Sequence, residues 1–61
     1  MFVYWDENNK CDYDTISVDD KYIIIEDCAR NTLRINKKTL DVDILINDKW
    51  ESMDKKVYKY E

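Results

Sequence analysis

The chain contains no glycine and no proline. Every tight turn must therefore be built from residues that carry a Cβ, and asparagine is the natural substitute where the backbone has to enter the left-handed region. Phosphate-cradling loops of the P-loop or dinucleotide type are excluded on the same ground, since they bring backbone close to a ligand with no Cβ in the way. Histidine is absent as well. That removes the ordinary proton shuttle near neutral pH and the imidazole metal ligand.

With 61 residues the chain has room for one domain, residues 1–61, and a domain of about 60 residues hides only about 60% of the surface its unfolded chain exposes. So thin a core usually needs a staple. The candidates are the two cysteines and self-association, of which a homodimer is the expectation. Ile, Val, Leu, Phe, Trp and Tyr recur in tight clusters despite the high charge, so the composition is that of a folded chain. A net charge of −4 opposes a general binder of nucleic acid or anionic membrane. No apolar run approaches the roughly 20 residues that span a bilayer. The segment from Met1 to Trp5 meets Asp6 and Glu7 with no basic stretch of the signal-peptide kind. The expected compartment is the cytoplasm, where Cys11 and Cys28 would remain thiols. Richness in Lys, Asn, Ile and Asp suggests an AT-rich gene of the sort common in phages of low-GC hosts.

Short apolar stretches separated by polar clusters at hairpin spacing suggest an antiparallel meander of about five strands. These are Phe2 to Trp5, Cys11 to Val18, Tyr22 to Asp27, Thr32 to Asn36 and Leu40 to Ile46. Asp19, Asp20 and Lys21 form the expected loop between the second and third. That pairs Val18 with Tyr22 and Ile16 with Ile24, and avoids setting Asp12 against Asp27. Cys11 and Cys28 fall opposite or diagonal to one another. A turn at Lys37-Lys38 pairs Asn36 with Thr39, which sets Arg34 across from Asp41 and places Leu33, Ile35, Leu40, Val42, Ile44 and Ile46 on one face.

The last segment reads two ways. As a helix over residues 49–60, Asp48 is the N-cap, Glu51 stands at the third position, and Trp50, Met53, Val57 and Tyr60 form one apolar stripe. As a strand, residues 57–60 pair with Phe2 to Trp5 and close a small all-β barrel. The helix is preferred, partly because barrel corners usually rely on glycine. The fold class expected is α+β, a five-stranded antiparallel meander with a C-terminal amphipathic helix.

No arrangement of residues advertises catalysis. Paired carboxylates alone do not make an acid and base site, and a chain this small rarely forms a cleft that holds catalytic groups rigidly. Two thiols at unhelpful spacing are too few for a structural zinc site, so neither a metal nor a cofactor is expected. What the sequence offers is surface. Residues 1–20 hold six acids against one Lys, while residues 21–40 hold five bases against two acids.

Asp12 with Asp14, and Asp41 with Asp43, would project carboxylates on one side of a strand about 6.6 Å apart. That is near the spacing of successive phosphates, so with Asp19 and Asp20 these rows could imitate a nucleic-acid backbone. Alternatively, they merely solvate an outer sheet face. Seven of the eight aromatic residues are Trp or Tyr, types enriched at protein interfaces. Tyr4, Trp5, Trp50, Tyr58 and Tyr60 lie toward the chain ends and are candidates for a dimer seam or a partner patch. Arg30, Arg34, Lys37 and Lys38, with Lys21 adjacent and Tyr13 or Tyr22 as stacking platforms, form the alternative phosphate-contacting set. The resulting expectation is a non-enzymatic module that occludes a larger protein, in the manner of a phage inhibitor of a nucleic-acid enzyme or defence protein. A nucleic-acid-binding module and a structural subunit of a larger assembly are the alternatives.

Overall fold

The computed structural model describes all 61 residues and is entirely β. In chain order the strands are β1 (Phe2–Tyr4), β2 (Lys10–Asp12), β3 (Asp14–Val18), β4 (Tyr22–Glu26), β5 (Thr32–Asn36), β6 (Asp41–Ile46), β7 (Lys49–Lys56) and β8 (Lys59–Tyr60). They form a three-stranded sheet in the order β2-β1-β8 and a five-stranded sheet in the order β3-β4-β5-β6-β7. Every pairing is antiparallel.

The two sheets share their outer strands through bends. Between β2 and β3 the single residue Tyr13 exchanges backbone hydrogen bonds with Met1, its N–H donating to the Met1 carbonyl at 2.8 Å and its carbonyl accepting from the Met1 amine at 2.9 Å. At the other corner the Val57 N–H donates to the Leu40 carbonyl, and the next N–H, of Tyr58, donates to the Tyr4 carbonyl. Within two residues the chain leaves one sheet for the other.

The expected C-terminal helix does not exist. Asn47 and Asp48 both take positive φ, 50° and 64°, and form a two-residue hairpin turn that pairs Ile46 with Lys49. Asp48 is therefore a turn residue and not an N-cap. Trp50 and Met53, which share a stripe on a helix, fall on opposite faces of β7. Trp50 lies opposite Leu45 on the outer side, while Met53 packs on the core. Residues 59–60 pair with β1, Val3 opposite Tyr60 and Tyr4 opposite Lys59. Helix propensity is a weak prior, and pairing with β6 and β1 overrides it here. The lack of glycine is no obstacle: neither corner takes positive φ, and in the turns and the irregular part of β7 Arg30, Leu40, Asn47, Asp48 and Asp54 supply the left-handed conformations.

Two registers also differ from expectation. Asp14 lies opposite Glu26 and Thr15 opposite Ile25, as a three-residue loop would give. A bulge at Ile16 then shifts the pairing so that Ser17 faces Ile24 and Val18 faces Ile23. In the next hairpin Arg34 pairs with Asp43 rather than Asp41. The connection there is longer, with Leu40 at φ 66°, and the Asn36 side chain accepts from the N–H groups of Lys38 and Thr39. A shift of two keeps each side chain on its face. Leu33, Ile35 and Val42 are buried and Leu40 and Ile44 half-buried, but Ile46 extends past β5, paired only with Lys49 of β7, and is 43% exposed.

Seven residues make the core: Val3, Ile23, Ile25, Leu33, Ile35, Val42 and Val57. The first and last come from the N-terminal strand and the second corner, so the core is complete only when the two sheets meet. No helix is long and apolar enough to cross a membrane.

Candidate functional site

Strict alternation along β4 and β5 buries Ile23, Ile25, Leu33 and Ile35 and sends Tyr22, Ile24, Arg34 and Asn36 to the outer face of the larger sheet. Asp43 on β6 and Trp50 on β7 share that face. Their side chains converge. The Arg34 guanidinium lies 4.4 Å from the ring centroids of both Tyr22 and Trp50. Its Nη2 and Nε donate to Asp43 Oδ2 at 2.7 and 3.1 Å. The two ion-pair partners are only 22% and 23% exposed, so the pair is more strongly coupled than a fully solvated one. Ile24 and Leu45 lie beside it. The result is an aromatic and cationic patch on the outer face of the larger sheet.

Beside Tyr22 lies an open groove of about 490 Å³ lined by Asp20, Lys21, Tyr22, Asn36, Lys37 and Lys38. The two turns that wall it are tied together. The Lys37 N–H donates to the Lys21 carbonyl, and Lys37 Nζ donates to the Asp19 carbonyl at 3.1 Å. Lys21 thus joins Lys37 and Lys38, whereas Arg30 lies apart in the turn after β4.

The acidic rows do not form as the spacing suggested. Asp12 and Asp14 fall on different strands in different sheets, Asp12 opposite Phe2 and Asp14 opposite Glu26. Asp12 pairs with the Met1 amine at 3.1 Å. Asp41 pairs with Lys56 at 2.9 Å, which together with the Thr39 hydroxyl holds its carboxyl below the usual range. Asp43 is committed to Arg34. Asp19 accepts from the N–H groups of Tyr22 and Lys21, which lower its pKa. Asp14 and Asp20 remain exposed and carry no ion pair.

The aromatic set is divided as well. Tyr4 lies between the ammonium groups of Lys10 and Lys59, 5.8 and 4.4 Å from its centroid. Trp5 meets Tyr13 edge-on at 6.3 Å, donates from Nε1 to the Tyr13 hydroxyl, and is covered by Lys55 at 4.3 Å. Burial, followed by the Cys11 sulfur acting as an acceptor for the phenol, pushes the Tyr13 hydroxyl's pKa upward. Tyr60 packs on the core and Tyr58 is exposed. Trp50 stands apart from these four, on the outer face of the larger sheet.

Cys11 and Cys28 are exposed free thiols that do not face one another. Cys11 lies opposite Val3, and Cys28 sits in the turn after β4. No group of three or more Cys, Asp and Glu side chains has metal-binding geometry.

Sequence reasoning missed the union of Tyr22, Arg34 and Trp50. Alternation along β4 and β5 carried the signal for the first two, but treating residues 49–60 as a helix removed Trp50 from the sheet. Comparison with known proteins gives no match, whether to a family model, a curated protein or a solved structure.

Proposed function

We propose that the chain is a non-enzymatic protein-binding module that docks through the outer face of its five-stranded sheet. The observation that carries this reading is Arg34, held between the Tyr22 and Trp50 rings and fixed by Asp43. Trp, Tyr and Arg are the residue types that dominate binding energy at interfaces. Here they already pack on one another and on Asp43, an arrangement that reduces the entropy lost on association. The unpaired acids Asp14 and Asp20 would orient the encounter with a basic surface and speed it. Occlusion of a larger protein is the mechanism such a surface serves.

The test is affinity capture with the tagged chain after nuclease treatment, followed by calorimetry on the captured partner. Trp50→Ala, checked for retained folding by circular dichroism, is expected to weaken that partner by at least about tenfold, the loss of roughly 1.4 kcal/mol or more typical of an interface anchor. Undiminished affinity would show that this face is not the contact.

The groove between Lys21, Lys37 and Lys38 favours a second reading, a nucleic-acid contact with Tyr22 at its wall. Titration with single- and double-stranded DNA and RNA decides it. Micromolar binding that Lys37→Ala with Lys38→Ala abolishes would move the function to the groove.

A further inference from the structure

The five-stranded sheet ends in two outer strands, and they are protected very differently. β7 carries Lys49, Lys55 and Lys56, and its ladder is interrupted where Asp54 takes a φ of 52°. Lysines and bulges of this kind keep a sheet edge from pairing with other chains. β3 also carries a bulge, at Ile16, but it has no lysine and no proline, and all five of its residues are exposed. Ile16 and Val18, 54% and 58% exposed, are the most exposed large aliphatic residues in the molecule. One side of this strand pairs with β4, and no strand lies on the other.

Charge says what kind of segment such an edge would take. Asp14 begins the strand and Asp20 follows it, both without an ion pair, while Asp12 and Asp19 flank it with the Met1 amine and Lys37 as their neighbours; no basic residue stands between Lys10 and Lys21. Asp14 also lies directly opposite Glu26, and neither carboxylate has a salt bridge. Like charges placed so are unfavourable, and a cation brought alongside would relieve them.

We propose that β3 is an open sheet edge that accepts an extended basic segment of a partner protein as an added strand. Backbone hydrogen bonds along the edge supply affinity. Apolar side chains of the segment cover Ile16 and Val18, and a lysine or arginine reaches Asp14 and Glu26. This inference rests on the protein-binding reading above and names the partner's chemistry. A second copy of the chain is a poor occupant, because β3 laid against β3 brings the same acids together.

The test uses two synthetic peptides, KTVTVTK and ETVTVTE, titrated into the isotope-labelled full chain and followed by amide NMR. The basic peptide is expected to shift the amides of residues 14–18 and to bind at least about tenfold more tightly than the acidic one, with the difference shrinking as salt is added. Asp14→Lys should raise the thermal midpoint, since it converts a like-charge opposition into an attractive pair, and yet weaken KTVTVTK by about tenfold. Lost binding in that variant cannot then be ascribed to unfolding. Equal binding of the two peptides, shifts centred elsewhere, no shifts at millimolar peptide, or dimerisation through β3 would each overturn the proposal. The peptide titration needs no captured partner and the Trp50→Ala test needs no peptide, so the edge and the outer face fail independently.

Discussion

Asp6, Asp19, Asp27 and Asn36 turn this chain by one device, a side-chain oxygen that accepts from backbone N–H groups two and then three or four residues on. Asp6 takes Asn8 and Asn9, Asp19 takes Lys21 and Tyr22, Asp27 takes Ala29 and Asn31, and Asn36 takes Lys38 and Thr39. Side-chain closure of this kind replaces the conformational freedom that glycine would offer. The carboxylates among them titrate accordingly. Asp6 is lowered by the Asn9 side chain and then the Asn8 N–H. Asp19 is lowered by the Tyr22 and Lys21 N–H groups. At Asp27 desolvation pushes upward but is outweighed by donors from Asn31 and Ala29. A folded pKa below the unfolded one means stabilisation that is complete at neutral pH and lost as the pH falls through the folded value, below about 4. Urea midpoints are therefore expected to hold between about pH 7 and 5 and to fall below about 4. Asp19→Asn, which keeps the acceptor but not the titration, should flatten part of that fall.

At the scale of elements, β4 and β5 were legible because apolar and polar residues alternate through them and leave one face to the core. The segment 49–56 was not. Trp-Glu-Ser-Met-Asp-Lys-Lys carries a better helix pattern than a strand pattern, and only its neighbour β6 makes it a strand. The decisive local signal was the pair Asn47-Asp48, a turn in which both residues take positive φ and whose second position usually holds glycine. Asp48→Gly should accordingly raise stability by roughly 0.5–1 kcal/mol: relief of about 1–2 kcal/mol of left-handed strain, less about 0.5–1 for the freedom glycine adds to the unfolded chain. Chemical denaturation measures it. An unchanged midpoint would mean that Asp48 is not strained. The bulge at Ile16 and the longer turn before Leu40 had no comparable marker. The longer turn shifts partners by two and leaves each face as it was, so Arg34 met Asp43 instead of Asp41 and the candidate site moved with it, while the bulge turns Ser17 and Val18 to the opposite faces from those expected.

For the whole molecule, the informative contacts join the ends of the chain. Phe2 and Glu61 exchange backbone hydrogen bonds, Val3 lies opposite Tyr60, and Val57 enters the core at the second corner. Stopping the chain after Lys56 removes one of seven buried core residues and one of the two strands that pair with β1. The shortened chain is expected to lose its cooperative thermal transition, because so small a domain has little stability to spare; a sharp melt would show that the smaller sheet is dispensable. Composition, alternation and the absence of glycine determined that the chain folds through short antiparallel strands with side-chain-closed turns, since these depend on each residue and its near neighbours. Which strands bend from one sheet into the other, which carboxylate holds Arg34 and which edge stays open were decided by tertiary structure alone. They depend on pairings between residues far apart in sequence: a shift of two positions changes those partners with each side chain still on its face, and a one-residue bulge turns the residues beyond it to the other face, with no mark of either in the local sequence.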